Sequence, residues 1–478
     1  MWFEVAHLSA SKEMLLGALR DARPRARANH FRVSSRVARS AMSGAGVGAT
    51  PSCCSDRSIA RFRRARQAGS GVSVSTAGTW CALCCSQRYA GHTTYRNPRC
   101  SPSTRAGKRS TSGTVHPRVE VQTQMMGATS KLANVSSPVL QTMPLGFQWP
   151  TVDPFLFCVH HLDHYPAGNH SYGPAASLAG RQMGQDFEGI DGWRMYHGQE
   201  VPGFPQHPHR GFETVTYVRQ GLIDHSDSMG ASARYGRGDV QWLTAGGGIV
   251  HAEMFPLLDT EQANPAELFQ IWLNLPMVDK FAEPYFTMLW DESVPRSRTT
   301  NERGCLTEVT VVAGALGELT APAPPPKSWA SRPDSDVAIW HMRIEPGGSW
   351  TMPAARFADT VRTLYLFEGS SLFVDDTELG ASTGASLRSD IDVQLSSASG
   401  IECLVLQGRP IAEPVVQYGP FVMNDRAGIE QAFTDYNNTG FGGWPWPTDD
   451  PVHGSDPHRF ARRADGTFEH APVTQRAV

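Results

Sequence analysis

From about residue 139 onward the chain is written in short apolar or alternating runs, each closed by Gly, Pro, Asp or Asn. Segments 155–159, 213–218, 240–243 and 268–273 are of this kind. So are 306–312, 338–344, 363–367, 371–374 and 403–406. Recurring runs this short, rich in β-branched and aromatic residues, predict an all-β barrel or sandwich. They form two clusters, 139–280 and 300–425, divided by a stretch richer in Pro and charge over 279–303. Two similar β-domains in tandem, 135–285 and 300–425, are the economical reading, followed by a C-terminal segment over 426–478. Gln220-Gly221 and the stretch 368–371 read as hairpin connections. One helix is expected in the body, over 427–436, with Asn424 or Asp425 as its cap.

Size and charge narrow the classes that remain. With 478 residues, 52.2 kDa and 40% hydrophobic residues, the chain has material for two or three cored domains. It has no apolar run of roughly 18 residues, so no spanning helix is expected. The net charge of −3 hides two unlike parts: residues 1–130 carry 20 Lys+Arg against 5 Asp+Glu, and the rest carries 23 against 41. An acidic body repels phosphate backbones, which disfavours direct nucleic-acid binding. The leader, 1–134, is Arg- and Ser-rich and acid-poor, without an apolar period, and is expected to be disordered. Its composition is that of a mitochondrial or plastid transit peptide. Two other readings stand beside that one: a disordered tail, or a segment preceding a true start at Met125, Met126 or Met143. Cys81 and Cys84 alone are too weak a zinc signal to use. The body has only Cys158, Cys305 and Cys403, widely spaced, which is no disulfide framework. A reducing intracellular compartment is expected, the cytoplasm and nucleus if the leader is no transit signal.

The chemistry gathers in two spaced pairs. His207 and His209 stand two residues apart, as do His251 and Glu253. In a strand, residues i and i+2 share a face roughly 6.6–6.8 Å apart, close enough to converge on one ion. Either pair alone reads as chance spacing; together, on neighbouring strands, they make a cluster of three imidazoles and one carboxylate. Such a set suits a first-row divalent metal, with iron the first choice, and is too hard for a thiolate-preferring ion. Four donors on a six-coordinate ion leave two positions for dioxygen, water or a substrate. Glu213 is a rival carboxylate, evenly spaced from His209. It stands roughly 13 Å along a straight strand, and so is expected either to support the site from behind or to pair with Arg210. The turn at Gly236, Gly238 and Asp239 and the run Ala245-Gly246-Gly247-Gly248 let the backbone turn closely and present His251 inward.

At these residues the chain resembles the pirin family, a two-domain branch of the cupin superfamily. The matching stretches are GFPQHPHRGFETVTY over 203–217, GDVQWLTAGGGIVHAEM over 238–254 and EPVVQYGPFVMN over 413–424, with DPFL at 153–156 resembling the first core strand. Together with the strand clusters they cover about 139–437. The resemblance implies two tandem cupin (jelly-roll-like) barrels, with Fe(2+) in the first held by His207, His209, His251 and Glu253. The second is implied to be metal-free, as fits a stretch whose only histidine is His341. Two departures stand out. A long insertion, 162–200, carrying His164, His170 and His197, precedes the His-x-His; it either lies over the metal mouth or is a surface loop. The tail from 440 carries Trp444 and Trp446, expected to strap onto the barrels.

Two functions follow from the resemblance. One is a quercetin 2,3-dioxygenase-like oxidoreductase acting on a small aromatic flavonol with dioxygen, with Glu253 as general base and Phe212, Trp242 and Met254 as pocket candidates. The other is an iron-dependent transcriptional co-regulator that binds a protein partner. The first is preferred. A monomer is expected.

Overall fold

The computed structural model describes residues 137–472. The basic leader, with the transit role expected for it, lies outside the described residues, as does 473–478. The described chain forms two β-barrels and, among the described residues, one α-helix, Arg426–Thr439. No helix is long and apolar enough to cross a membrane among the described residues.

The first barrel is made of two six-stranded sheets. One runs, in spatial order, Tyr285–Leu289, Val240–Thr244, Phe212–Gln220, Asn264–Asn274, Phe155–Tyr165 and Gln148–Trp149. The facing sheet runs Phe468–His470, Phe460–Arg462, Ser232–Gly236, Leu222–Asp227, Ile249–Met254 and Gly203–His209. The second barrel sets a seven-stranded sheet against a four-stranded one of Gly348–Met352, Val393–Ser397, Ser371–Val374 and Thr377–Gly380. Its members are not all local in sequence. Val139–Pro144, expected within the first domain, pairs with Thr383–Leu387 of the second barrel. In the reverse direction, Phe460–Arg462 of the tail pairs with Ser232–Gly236 of the first. Each arm covers an edge strand whose backbone groups would otherwise stand open.

Alternation explains the layers. On Phe212–Gln220, Val215 and Tyr217 point away from the first barrel's interior, into a buried core shared with Trp242, Phe269 and Ile271. Val312, Ile339, Tyr365, Leu404 and Leu406 of the second barrel complete that core, so the outer face of one sheet cements the two barrels. The connections at Gln220-Gly221 and at 368–371 are not hairpins. The strands they join belong to different sheets, and Gly221 and Gly369, at φ 80° and 101°, let the chain arch across the barrel. The helix is three residues longer at its C-terminal end than expected and one at its start. Asp425 caps it by accepting from Gly428 N at 2.7 Å, and Gly440 ends it in the left-handed conformation. Its buried Ile429 and Ala432 pack with Val250, Phe421 and Phe441 on the outer face of the histidine-bearing sheet.

Candidate metal centre

The site begins at an edge. Gly203–His209 ends its sheet and pairs only with Ile249–Met254 there. His207 stands opposite His251, and a register shift between Phe204 and His207 puts Phe204 opposite Glu253. Residues directly opposite share a face, so all of these side chains turn into the barrel. Two glycines make the approach possible. A Cβ at Gly211, which turns the chain after His209 at φ 84°, would stand 2.0 Å from Val422 O. One at Gly248 would stand 2.6 Å from the Phe441 ring.

His207, His209 and His251 each offer a ring nitrogen, and these atoms lie within 4.8 Å of one another. His209 and His251 are fully buried. His207 Nδ1 is fixed 2.8 Å from Pro205 O, with its ring 4.4 Å from that of His251. Burial pushes the His207 imidazole down to about 4 and those of His209 and His251 well below the usual range, aided by the neighbouring rings. All three are therefore neutral at ordinary pH, the form in which an imidazole can hold a metal. Neither nitrogen of His251 nor Nδ1 of His209 has a hydrogen-bond partner. Buried polar atoms left so are costly and uncommon, and a cation among them would satisfy the lone pairs. The donor set fits a metal. Glu253 lies 3.9 Å from His251 Nε2, its oxygens accepting from Thr216 Oγ1 at 3.1 Å and Gln270 Nε2 at 3.2 Å across the barrel. Burial raises its carboxyl against the pull of His225 and these two donors.

The other expected residues fall elsewhere. Glu213 is on the opposite face of its sheet from Thr216, because the turn at Arg210-Gly211 breaks the even count from His209. It points into the interbarrel layer, where Thr244 donates to it at 2.6 Å and Ser328 of the following segment at 2.5 Å. Burial raises it to about 7. Arg210 does not pair with it; it pairs with Asp435 of the helix at 2.7 Å and donates to Gly247 O. Trp242 belongs to the interbarrel core, and Met254 alternates to the face opposite Glu253. Phe212 does line the site, its ring 5.0 Å from His209 and 4.2 Å from Trp272. Sequence reading missed His225 and Asp227. They repeat the i, i+2 spacing, pair in register with Glu253 and His251, and join through a 3.1 Å contact between Nε2 and Oδ2. It also missed Thr216 and Gln270, ordinary strand residues until register brings them across from Glu253.

Three segments from outside the barrel dock on the His207 edge strand. Tyr196 of the insertion bridges to Gly203, Asp449 O accepts from Gln206 N at 2.7 Å, and Phe421 bridges to Arg210. Just before Asp449 in the same tail, Trp446 Nε1 donates to Asp227 O at 2.8 Å.

Comparison with known proteins agrees with this architecture. The model for Pirin matches residues 148–273, and that for the Pirin C-terminal cupin domain matches 339–442. A Pseudomonas aeruginosa protein named "Putative quercetin 2,3-dioxygenase PA3240" is 39% identical over 242 residues, 50% of this chain and 80% of the relative. Pirin-1 of Arabidopsis thaliana is 36% identical over 249 residues, 49% of this chain and 77% of its own length. The crystal structure of a quercetin 2,3-dioxygenase from Acinetobacter baumannii superimposes with a TM-score of 0.51 at 26% identity, covering 64% of this chain and 98% of that one. Two family models in tandem order, relatives matched over most of their length and the paired barrels together place this chain in the pirin family of cupin proteins.

Proposed function

We propose that the protein is an iron-dependent, quercetin 2,3-dioxygenase-like oxidoreductase that consumes a flavonol and dioxygen. One observation carries the reading: three imidazoles neutral at ordinary pH, two of them fully buried and one half-buried, whose ligand atoms lie within 4.8 Å, two of the rings with nitrogens that nothing else satisfies. The names borne by the Pseudomonas and Acinetobacter proteins support the substrate class.

His207, His209 and His251, with Glu253, would hold the ion, which when bound supplies Lewis acidity toward a coordinated hydroxyl. The remaining work belongs to the chain. Glu253, its affinity for a proton raised by burial, receives the proton of the flavonol hydroxyl as general base once it shifts from its ligand position. Thr216 and Gln270 keep that carboxylate aimed while it does so. Phe212 and Trp272, packed against His209, keep the space around the reacting oxygen dry.

Elemental analysis of the purified protein, followed by incubation with quercetin in air and under argon, tests the proposal. Bound iron with flavonol loss only in air is the expected result. Iron retained with no flavonol loss in air would retire the enzymatic reading and keep the metal centre.

A further inference from the structure

The mouth of the metal barrel is not built by the barrel alone. On one inner face Phe204 stands opposite Glu253; on the other, His161 and Asp163 stand opposite Leu268 and Ala266, in phase with Gln270. Tyr196 of the insertion enters between these faces. It is fully buried, its hydroxyl donates to Asp163 Oδ2 at 2.6 Å, and it lies 2.9 Å from His161 Nδ1. The Tyr196 ring is 5.0 Å from Phe204 and 5.8 Å from Phe255. The next residue, His197, sets its ring 5.8 Å from Phe204, with Nδ1 2.6 Å from Gly184 O. Phe204 in turn lies 6.4 Å from His207. A continuous run of rings therefore leads from the insertion to a metal ligand.

The insertion is stapled, not loose. Arg181 is buried, bonds Asp186 at 2.8 Å, Trp193 O at 2.9 Å and Ile190 O at 2.6 Å, and lies 3.4 Å over the Trp193 ring. Asp186 accepts from Met195 N, and Met195 O accepts from Gly203 N. Tyr196 is held at φ 56°, a conformation uncommon for an aromatic residue. It cannot swing aside without stripping the buried Asp163 carboxylate of a donor.

We propose that Tyr196 is a specificity-determining residue: with Phe204 and His197 it forms a fixed wall on the insertion side of the metal centre, which disfavours ligands of three fused rings relative to a single ring or to jointed rings such as those of a flavonol. The inference rests on the metal-centre reading and not on flavonol turnover. The test loads the full chain with Co(2+) and titrates it, by absorbance, with catechol and with alizarin, which carries the same vicinal hydroxyls on three fused rings. Tyr196→Ala should improve alizarin binding relative to catechol by about tenfold or more, the scale on which pocket shape discriminates, with cobalt content unchanged. Tyr196→Phe, which keeps the ring, should retain the wild-type ratio, and His197→Ala should shift it in the same direction as Tyr196→Ala. An unchanged ratio in both Ala variants, with cobalt and catechol still bound, overturns the inference. Quercetin turnover followed in parallel separates the two readings: a shifted ratio without turnover supports the wall and removes only the dioxygenase.

Discussion

The first barrel turns His207, His209, His251, Glu253, Thr216 and Gln270 inward; the second fills its interior with Trp340, Met342, Leu364, Leu366, Cys403 and Val405. Both are closed by the same strand grammar, yet they hold together for different reasons. An apolar interior is stabilised by burial itself. A polar one must find a partner for every donor and acceptor, and the first barrel leaves ring nitrogens of His209 and His251 unmatched. The apolar outer face of one of its sheets packs against the second barrel, and that of the other against the helix. The second barrel thus backs the first, and the first is where three convergent imidazoles gather.

Four experiments would break or sharpen this contrast. The largest effect is expected from His251→Ala, which removes one of three convergent donors. Metal affinity should drop by more than about 100-fold, beyond what the loss of an outer partner causes, while His341→Ala in the second barrel should leave metal content intact. Elemental analysis after dialysis reads both.

Acid comes next. In the metal-stripped protein, burial holds His161 at about 3 and His207 at about 4, with His209 and His251 also depressed. Each folded-state value is below that of the unfolded chain, so the unfolded state takes up protons first. Stability present above roughly pH 6.5 is therefore lost as pH falls toward 4, each group contributing up to about 1.4 kcal/mol per pH unit. Glu213, raised to about 7, and Asp239, raised to about 6, act in the opposite sense over this range. Urea unfolding between pH 7.5 and 4.5, followed by fluorescence, should therefore show midpoints falling with acid in the metal-free protein, less steeply than the four imidazoles alone would give. A profile that rises with acid would contradict imidazoles that the folded barrel keeps neutral.

Third, Leu364→Ala in the second barrel should destabilise by about 2–5 kcal/mol, through a cavity the sheets cannot close, without altering the metal-to-protein ratio. Calorimetry and metal analysis on one sample decide it. The smallest effect is expected from Thr216→Val, which keeps the shape but removes a donor from Glu253. Metal affinity should fall by about 10–100-fold, with little change in melting temperature.

Much of this was legible in the chain, though unevenly. The runs at 213–218, 268–273 and 403–406 all became strands, because alternation is a local property that burial then selects. Asp425 was readable as a cap because capping needs only the next three residues. Glu213 was misplaced because counting along a strand fails once Gly211 turns the chain, and Trp242 and Met254 because the buried side of a residue depends on which face its sheet presents inward. Gln220-Gly221 reads as a hairpin in the sequence because turn chemistry does not say whether the next strand returns to the same sheet. His225 and Asp227 carried a signal that went unused, a third pair at spacing two.

Sequence alone determined that the chain would be built of β-strands, and that His207 would share a face with His209 and His251 with Glu253, since a period of two is fixed by backbone geometry. Tertiary structure decided that both faces look into one barrel, that Thr216 and Gln270 stand across from Glu253, that Glu213 is turned away, and that Tyr196 packs on Phe204. Those outcomes depend on register, on a bulge and on pairings between segments far apart in the chain, where packing of whole sheets, and no local preference, selects the arrangement.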